Sequence, residues 1–222
     1  MRPSVVVFDV NETLSDLSPL AARFVDVGAP ASLAALWFAT ALRDGIGLTA
    51  AGQNPPFADV AREQLLSVLD AAAHLNRPVH EAADHVMEGF LRLELHPDVA
   101  LGVSRLHEAG LRLVTLSNGA ASVAEALLLR AGLRDQFAAL LSVEDAGGWK
   151  PDPRPYRYAA EACAVPPEQL LMVAVHPWDI DGAARAGLQT AWVDRSESHY
   201  PAVFARPTHT VPSIEALVDA LG

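Results

Sequence analysis

Short apolar runs rich in β-branched residues take turns along this chain with alanine- and leucine-rich amphipathic segments. Runs of that kind bury both faces, and joining them through helices gives a parallel sheet covered on each side. The pattern predicts strands at Val5–Val10, Leu111–Leu116, Leu140–Val143, Leu170–Val175 and Thr190–Val193, with a weaker one at Thr208–Val211. It predicts helices at Asp98–Ala109, Ala120–Ala131, Pro155–Ala164, Ile180–Ala186 and Ser213–Leu221. Gly110, Gly132 and Gly187 follow three of these segments, where a residue without a Cβ closes a helix. The expected class is α/β, with a doubly wound parallel sheet.

The stretch from Ser15 to Leu95 interrupts the alternation. It reads as helical pieces at Ser32–Arg43, Asp59–Leu75 and Val79–Leu93, with Gly45–Phe57 as the joining stretch between the first two. A helical insertion directly after the first strand sits over the sheet's C-terminal edge, the position of a lid. The expected organisation is therefore a core from residues 1–14 and 96–222, with a helical cap at 15–95.

Composition narrows the partners. The net charge of −11 and pI near 5.0 disfavour nucleic acid and anionic membranes, and an anionic substrate needs a local positive pocket. The apolar run at the N-terminus is too short for a signal peptide, and no stretch approaches the roughly 20 apolar residues that span a bilayer. The single cysteine, Cys163, fits a reducing cytoplasm and reads as a buried helical thiol. Arginine occurs 15 times and lysine once, at Lys150. A compact, desolvatable ammonium is thus used at one place only.

In open α/β sheets, ligands bind beyond the carboxyl ends of the strands. Polar residues gather at four such ends: Asp9, Asn11 and Thr13 in FDVNETL; Ser117 and Asn118 in TLSNG; Lys150 and Tyr156 in WKPDPRPY; His176 and Asp179 in VHPWDID. Each alone is an ordinary cap or turn residue. Their recurrence along one edge is what marks a site. A carboxylate kept ionised by a nearby ammonium can act as a nucleophile.

These four motifs, in this order and at these separations, resemble those of the haloacid dehalogenase-like superfamily, and more closely its type II 2-haloacid dehalogenase branch. The resemblance covers about two-thirds of the chain, and the insertion matches the family's cap in position. It implies a Rossmann-like core, with Asp9 as nucleophile, Thr13 orienting it, and Lys150 holding it ionised beside Tyr156. Asp179 would anchor Lys150 and position water. Ser117 and Asn118 would hold the substrate's acid group, with Val10 and Asn11 lining the site.

Most members of the superfamily transfer phosphoryl groups with Mg²⁺. Their general acid falls here on Asn11, which has no proton to give, and a metal-ligating aspartate falls on Val175. Both losses suit a halide leaving group, which needs no protonation. The resulting expectation is metal-independent hydrolysis of a small 2-haloacid through an ester, with no cofactor. An Mg²⁺-dependent phosphatase or phosphonatase-like hydrolase and a catalytically silent binding protein are the alternatives. The branch's cap arginine falls on Phe38, and Arg43 lies about 140° further around the helix. Arg43 is the replacement cation if its side chain reaches round. His176 offers a substrate hydrogen bond or a water-activating base near its usual pKa of about 6.5. Trp37, Phe38 and Trp178 either wall the pocket or pack the cap against the core, and the substrate range shifts toward fluoro- or bulkier haloacids or away from haloacids altogether. Relatives also imply a homodimer.

Overall fold

The computed structural model describes residues 2–72 and 74–222. β1 (Val5–Phe8) leads into four helices, α1 (Leu20–Asp26), α2 (Leu33–Ala50), α3 (Phe57–Asp70) and α4 (Val79–Leu91). The chain then runs through α5 (Val99–Glu108), β2 (Arg112–Ser117), α6 (Ala121–Arg130), β3 (Phe137–Ser142), the single turn α7 (Val143–Ala146) and α8 (Pro153–Cys163). It ends with β4 (Leu170–Ala174), α9 (Pro177–Arg185), β5 (Gln189–Val193), β6 (His209–Val211) and α10 (Leu217–Leu221).

The strands form one sheet in the order β3-β2-β1-β4-β5-β6, with every pair parallel. Side chains alternate across it, so Val6 and Phe8 pack under α5, α6 and α10 while Val5 and Val7 pack under α8 and α9. Burial of a Val or Leu side chain is worth about 1.5–3 kcal/mol, and β1 and β4 are buried along their whole length. That is why these runs are central strands. The strand order reverses between β1 and β4, leaving a crevice at their carboxyl ends.

Helices α1–α4 build a separate apolar cluster around Phe24, Trp37, Leu65, Leu69 and Phe90. Trp37 and Phe90 meet edge to face at 5.8 Å. Ser15 and Leu95 form an antiparallel bridge where the chain leaves the sheet and rejoins it.

Two departures from the sequence reading lie in this insertion. α1 was not expected; its seven residues are too few for a periodicity, no side chain caps it, and burial of Leu20 and Phe24 is what fixes it. α2 runs straight through Gly45 and Gly47 to Ala50, where a joining stretch was predicted. Gly45 is a notch. A Cβ there would lie 2.1 Å from the ring of Trp149. Trp149 is fully buried against the cap, donating its backbone N–H to Thr49 (3.0 Å) and its indole N–H to the Pro55 carbonyl (2.9 Å). Gly45→Ala is therefore expected to destabilise the protein by about 1–3 kcal/mol, despite alanine's better helix propensity. Urea unfolding checks this, and an unchanged or raised midpoint would remove the notch.

Candidate active site

Asp9 follows β1, and its backbone N–H still bonds to the Val173 carbonyl at 3.0 Å, which holds its carboxylate at the crevice between β1 and β4. The Lys150 ammonium bridges two carboxylates, lying 2.9 Å from Asp9 Oδ1 and 2.6 Å from Asp179 Oδ2. Asp9 and its partners Thr13, Lys150 and Asp179 are buried. Thr13 Oγ1 donates to Asp9 Oδ2 at 2.7 Å and accepts the Val175 N–H at 3.2 Å, tying the loop after β1 to the end of β4.

Each anchor of Lys150 has its own support. Asn118 Oδ1 accepts the Lys150 backbone N–H at 2.9 Å. Tyr156 donates its hydroxyl to Asp179 Oδ1 at 2.7 Å. Burial works against the charged Lys150, but Asp179 and Asp9 outweigh it and raise its pKa. Burial likewise opposes ionisation of Asp9, and Lys150, His176 and Thr13 together hold it well below the usual carboxylate range. Asp179 goes the other way: burial raises it, with the neighbouring Asp9 charge adding to the rise and Lys150 opposing it. Of the two carboxylates, Asp9 is the one held low.

His176 stands at the start of α9 with both ring nitrogens engaged. Nδ1 is 3.2 Å from Asp9 Oδ2, and Nε2 is 2.7 Å from Glu12 Oε2. The ring stacks on Trp178 at 4.9 Å and faces Phe38 at 6.5 Å. Burial favours the neutral ring, yet the bonds and charges of Asp9 and Glu12 prevail and raise its pKa to about 9. A value near 6.5 belongs to an unperturbed ring, and here two acids close on it.

Two spaces flank this wall. A cleft of about 570 Å³ lies on the β4–β5 side, lined by Glu12, Phe38, Val175, His176 and Arg195 among others. A small space of about 40 Å³ lies on the β2 side, between Val10, Asn11, Ser117 and Gly119 below and Phe57 and Phe90 above. Asp9 itself lines neither. The larger space ends one side chain short of it, at His176.

Other expected site residues sit elsewhere. Arg43 is exposed and paired with Asp44 at 2.6 Å, and it lines neither space, because its helix turns it outward. Trp37 belongs to the cap interior and donates to the Ala61 carbonyl, so it is no pocket wall. Tyr156 is fully buried behind Asp179, where it steadies that carboxylate out of a substrate's reach. Asn118 spends its side-chain oxygen on Lys150, and Ser117 accepts the Gly119 N–H at 2.9 Å while lining the small space.

Three residues were missed. Glu12, with φ of +62°, pairs with His176. Arg195 pins the loop after β1 by donating to the Thr13 and Glu12 carbonyls while paired with Asp98 at 3.0 Å. Phe57 stacks on Trp149 at 5.6 Å. No local pattern marks any of them, since their partners lie far away in sequence.

Residues 3–187 match the family model for haloacid dehalogenase-like hydrolases. The chain belongs to the haloacid dehalogenase-like hydrolase family. Among relatives of this family member, the (S)-2-haloacid dehalogenase 4A of Burkholderia cepacia is 30% identical over 213 residues, covering 95% of this chain and 91% of that protein. The haloacetate dehalogenase H-2 of Moraxella sp. (strain B) is 33% identical over 140 residues, a match spanning 63% of this chain and 62% of that one. In fold, the L-2-haloacid dehalogenase of Xanthobacter autotrophicus, solved with chloropropionic acid covalently bound, matches with a TM-score of 0.89 at 26% identity over 99% of this chain and 98% of that one.

A magnesium site does not fit this member of the family. Val175 offers an alkyl group where a hard cation wants oxygen, and both Asp9 and Asp179 are engaged by Lys150. Among the described residues no group of three or more His, Cys, Asp or Glu side chains is arranged to hold a metal ion. No helix among them is long and apolar enough to cross a membrane.

Proposed function

We propose that the protein hydrolyses the carbon–halogen bond of a small 2-haloacid, without a metal, through an ester on Asp9. The observation that carries this reading is the buried Lys150 ammonium, bridging Asp9 and Asp179 at 2.9 and 2.6 Å. It gives Asp9 a fixed counter-charge, so the carboxylate stays ionised while shielded from water.

In the first step an Asp9 oxygen attacks C2, and the halide departs with the bonding electron pair. No proton is needed on the leaving group, which suits Asn11 in place of an acid. Water then attacks the ester carbonyl carbon. The bond from that carbon to the former Asp9 oxygen now on C2 breaks, releasing the 2-hydroxy acid with that oxygen and restoring the carboxylate with one from water. Ser117 and the amides around Gly119, beside the small space, are suited to hold the substrate's own carboxylate. The two relatives named for haloacid and haloacetate dehalogenation support the substrate class.

The test has two parts. Chloro-, bromo- and fluoroacetate and 2-chloropropionate, assayed in EDTA, are expected to release halide at a rate unchanged from that with added Mg²⁺. A single turnover in ¹⁸O-water is expected to leave the label in Asp9 and not in the hydroxy acid. A panel yielding no halide above blank, or label appearing first in the product, overturns the reading.

A further inference from the structure

A haloacid arrives as an anion and needs a cation to draw it in. Lys150 is spent on Asp9 and Asp179, and Arg43 is turned out to Asp44. The two spaces that approach Asp9 differ in what they offer instead. The large cleft is lined by the carboxylates of Glu12, Asp16 and Asp194. Its two cations are engaged, Arg195 by Asp98 at 3.0 Å and His176 by Glu12 and Asp9 at 2.7 and 3.2 Å. An anion entering there meets three acids and then the closed side of His176.

The β2 side is built otherwise. The small space beside Ser117 and Gly119 continues outward into a second of about 10 Å³, the two sharing Val10, Asn11, Phe90, Leu91 and Val123 as walls. No Asp or Glu lines either one. The outer space carries one cation, Arg130, the last residue of α6. Its guanidinium crosses to the chain leaving the cap and donates to the Leu93 carbonyl at 2.9 Å. Among the described residues Arg130 takes part in no ion pair. A helix C-terminus favours a cation wherever it lies, which accounts for an arginine at this position. It does not account for a head group lying over apolar walls that continue to the site. An uncompensated charge at the mouth of an apolar passage focuses its field along that passage.

We propose, resting on the ester mechanism above, that the haloacid reaches Asp9 by this β2-side passage, and that Arg130 at its mouth draws the carboxylate in. The anion meets the guanidinium first, then passes Leu91 to Ser117 and the amides around Gly119. The outer space has room for roughly one water, so the passage admits a substrate only as Leu91 moves. Leu91 ends α4, lines both spaces and is 49% exposed, which gives its side chain solvent to turn into. Arg130 touches no reacting atom. It is a steering residue that selects for anions.

Steady-state kinetics with bromoacetate on Arg130→Gln in the full chain, at low and high ionic strength, test this. At low salt kcat/KM is expected to fall about tenfold, the lower end of electrostatic steering, with kcat retained. Near 1 M salt the Debye length shrinks to about 3 Å, and variant and wild type are expected to converge. Arg130→Lys is expected to restore most of the low-salt value, and Arg130→Glu to fall further than Arg130→Gln. A packing role for Arg130 would answer neither to salt nor to the sign of the charge. Leu91→Trp, which narrows the passage, is expected to lower kcat/KM at both salt concentrations. Ala35→Trp, on the wall of the large cleft, is expected to stay within twofold of wild type. Arg130→Gln and Arg130→Glu both within twofold of wild type at low salt overturn the steering role. Loss in Ala35→Trp without loss in Leu91→Trp moves the entrance to the cleft and overturns the route. A wild type that gives no halide overturns the ester reading and this one with it, a separate result.

Discussion

Asp9→Asn is expected to lose halide release by roughly 10⁴-fold or more, as removal of a covalent nucleophile does elsewhere. The substitution keeps the shape of the side chain and its place after β1, so the lesion is chemical. An amide oxygen is a poor nucleophile and carries no charge for Lys150 and His176 to balance. Thr13 still finds an oxygen to bond. Lys150 keeps Asp179 at 2.6 Å, and the buried ammonium is left with one anion instead of two. Mass spectrometry after incubation with bromoacetate is expected to show no adduct at position 9. Halide release within tenfold of wild type would mean that water attacks C2 directly and that the ester does not exist.

Lys150→Met is the second large effect, and it acts on folding as well as chemistry. Methionine fills a similar volume but leaves Asp9 and Asp179 buried together without the ammonium between them. Removing one partner of a buried ionic group costs about 3–5 kcal/mol, because the charge left behind has neither water nor a counter-ion. One carboxylate relieves this by taking up a proton. Asp9, now beside Asp179 and supported only by His176 and Thr13, moves upward in pKa, whereas in the wild type Lys150 heads the groups that hold it low. A protonated Asp9 does not attack. Single-turnover halide formation is expected to fall by about 10³-fold near neutrality and to recover partly as pH rises and Asp9 ionises. Denaturant unfolding is expected to show the stability loss in the same preparation. A variant with an unchanged midpoint and an unchanged single-turnover rate would deny Lys150 its place at the centre of the site.

The two predictions rest on features of different visibility. Asp9 and Lys150 stood out in the bare sequence: one ends a run of four buried residues, and the other is the chain's single lysine. Their meeting at 2.9 Å followed from topology alone, since a parallel sheet delivers every strand's carboxyl end to the same edge. Arg43 shows the limit of that reasoning. Five residues along a helix from Phe38 is a well-defined angle, but which side of α2 faces the core is set by Trp37 and Ala41 packing inside the cap. The helix rotation that buries them sends Arg43 outward to Asp44.

Glycine told the same story inside the insertion. By propensity Gly45 and Gly47 end a helix, yet α2 continues, because the bare Cα at 45 admits the Trp149 ring from a segment about a hundred residues away. The preference lost is small beside the burial of an indole.

The amino-acid order by itself determined which segments become buried strands, where helices interrupt them, and that a lone ammonium shares the sheet's working edge with Asp9 and Asp179. These are local properties, set by side-chain periodicity and by the chain geometry of a parallel sheet. Only the tertiary structure decided the protonation of His176, the turn of Arg43 away from the site, and the enclosure of Asp179 behind Tyr156. Each depends on the electric field or packing made by residues distant in the chain, and such fields exist only once the fold has brought their sources within a few ångströms.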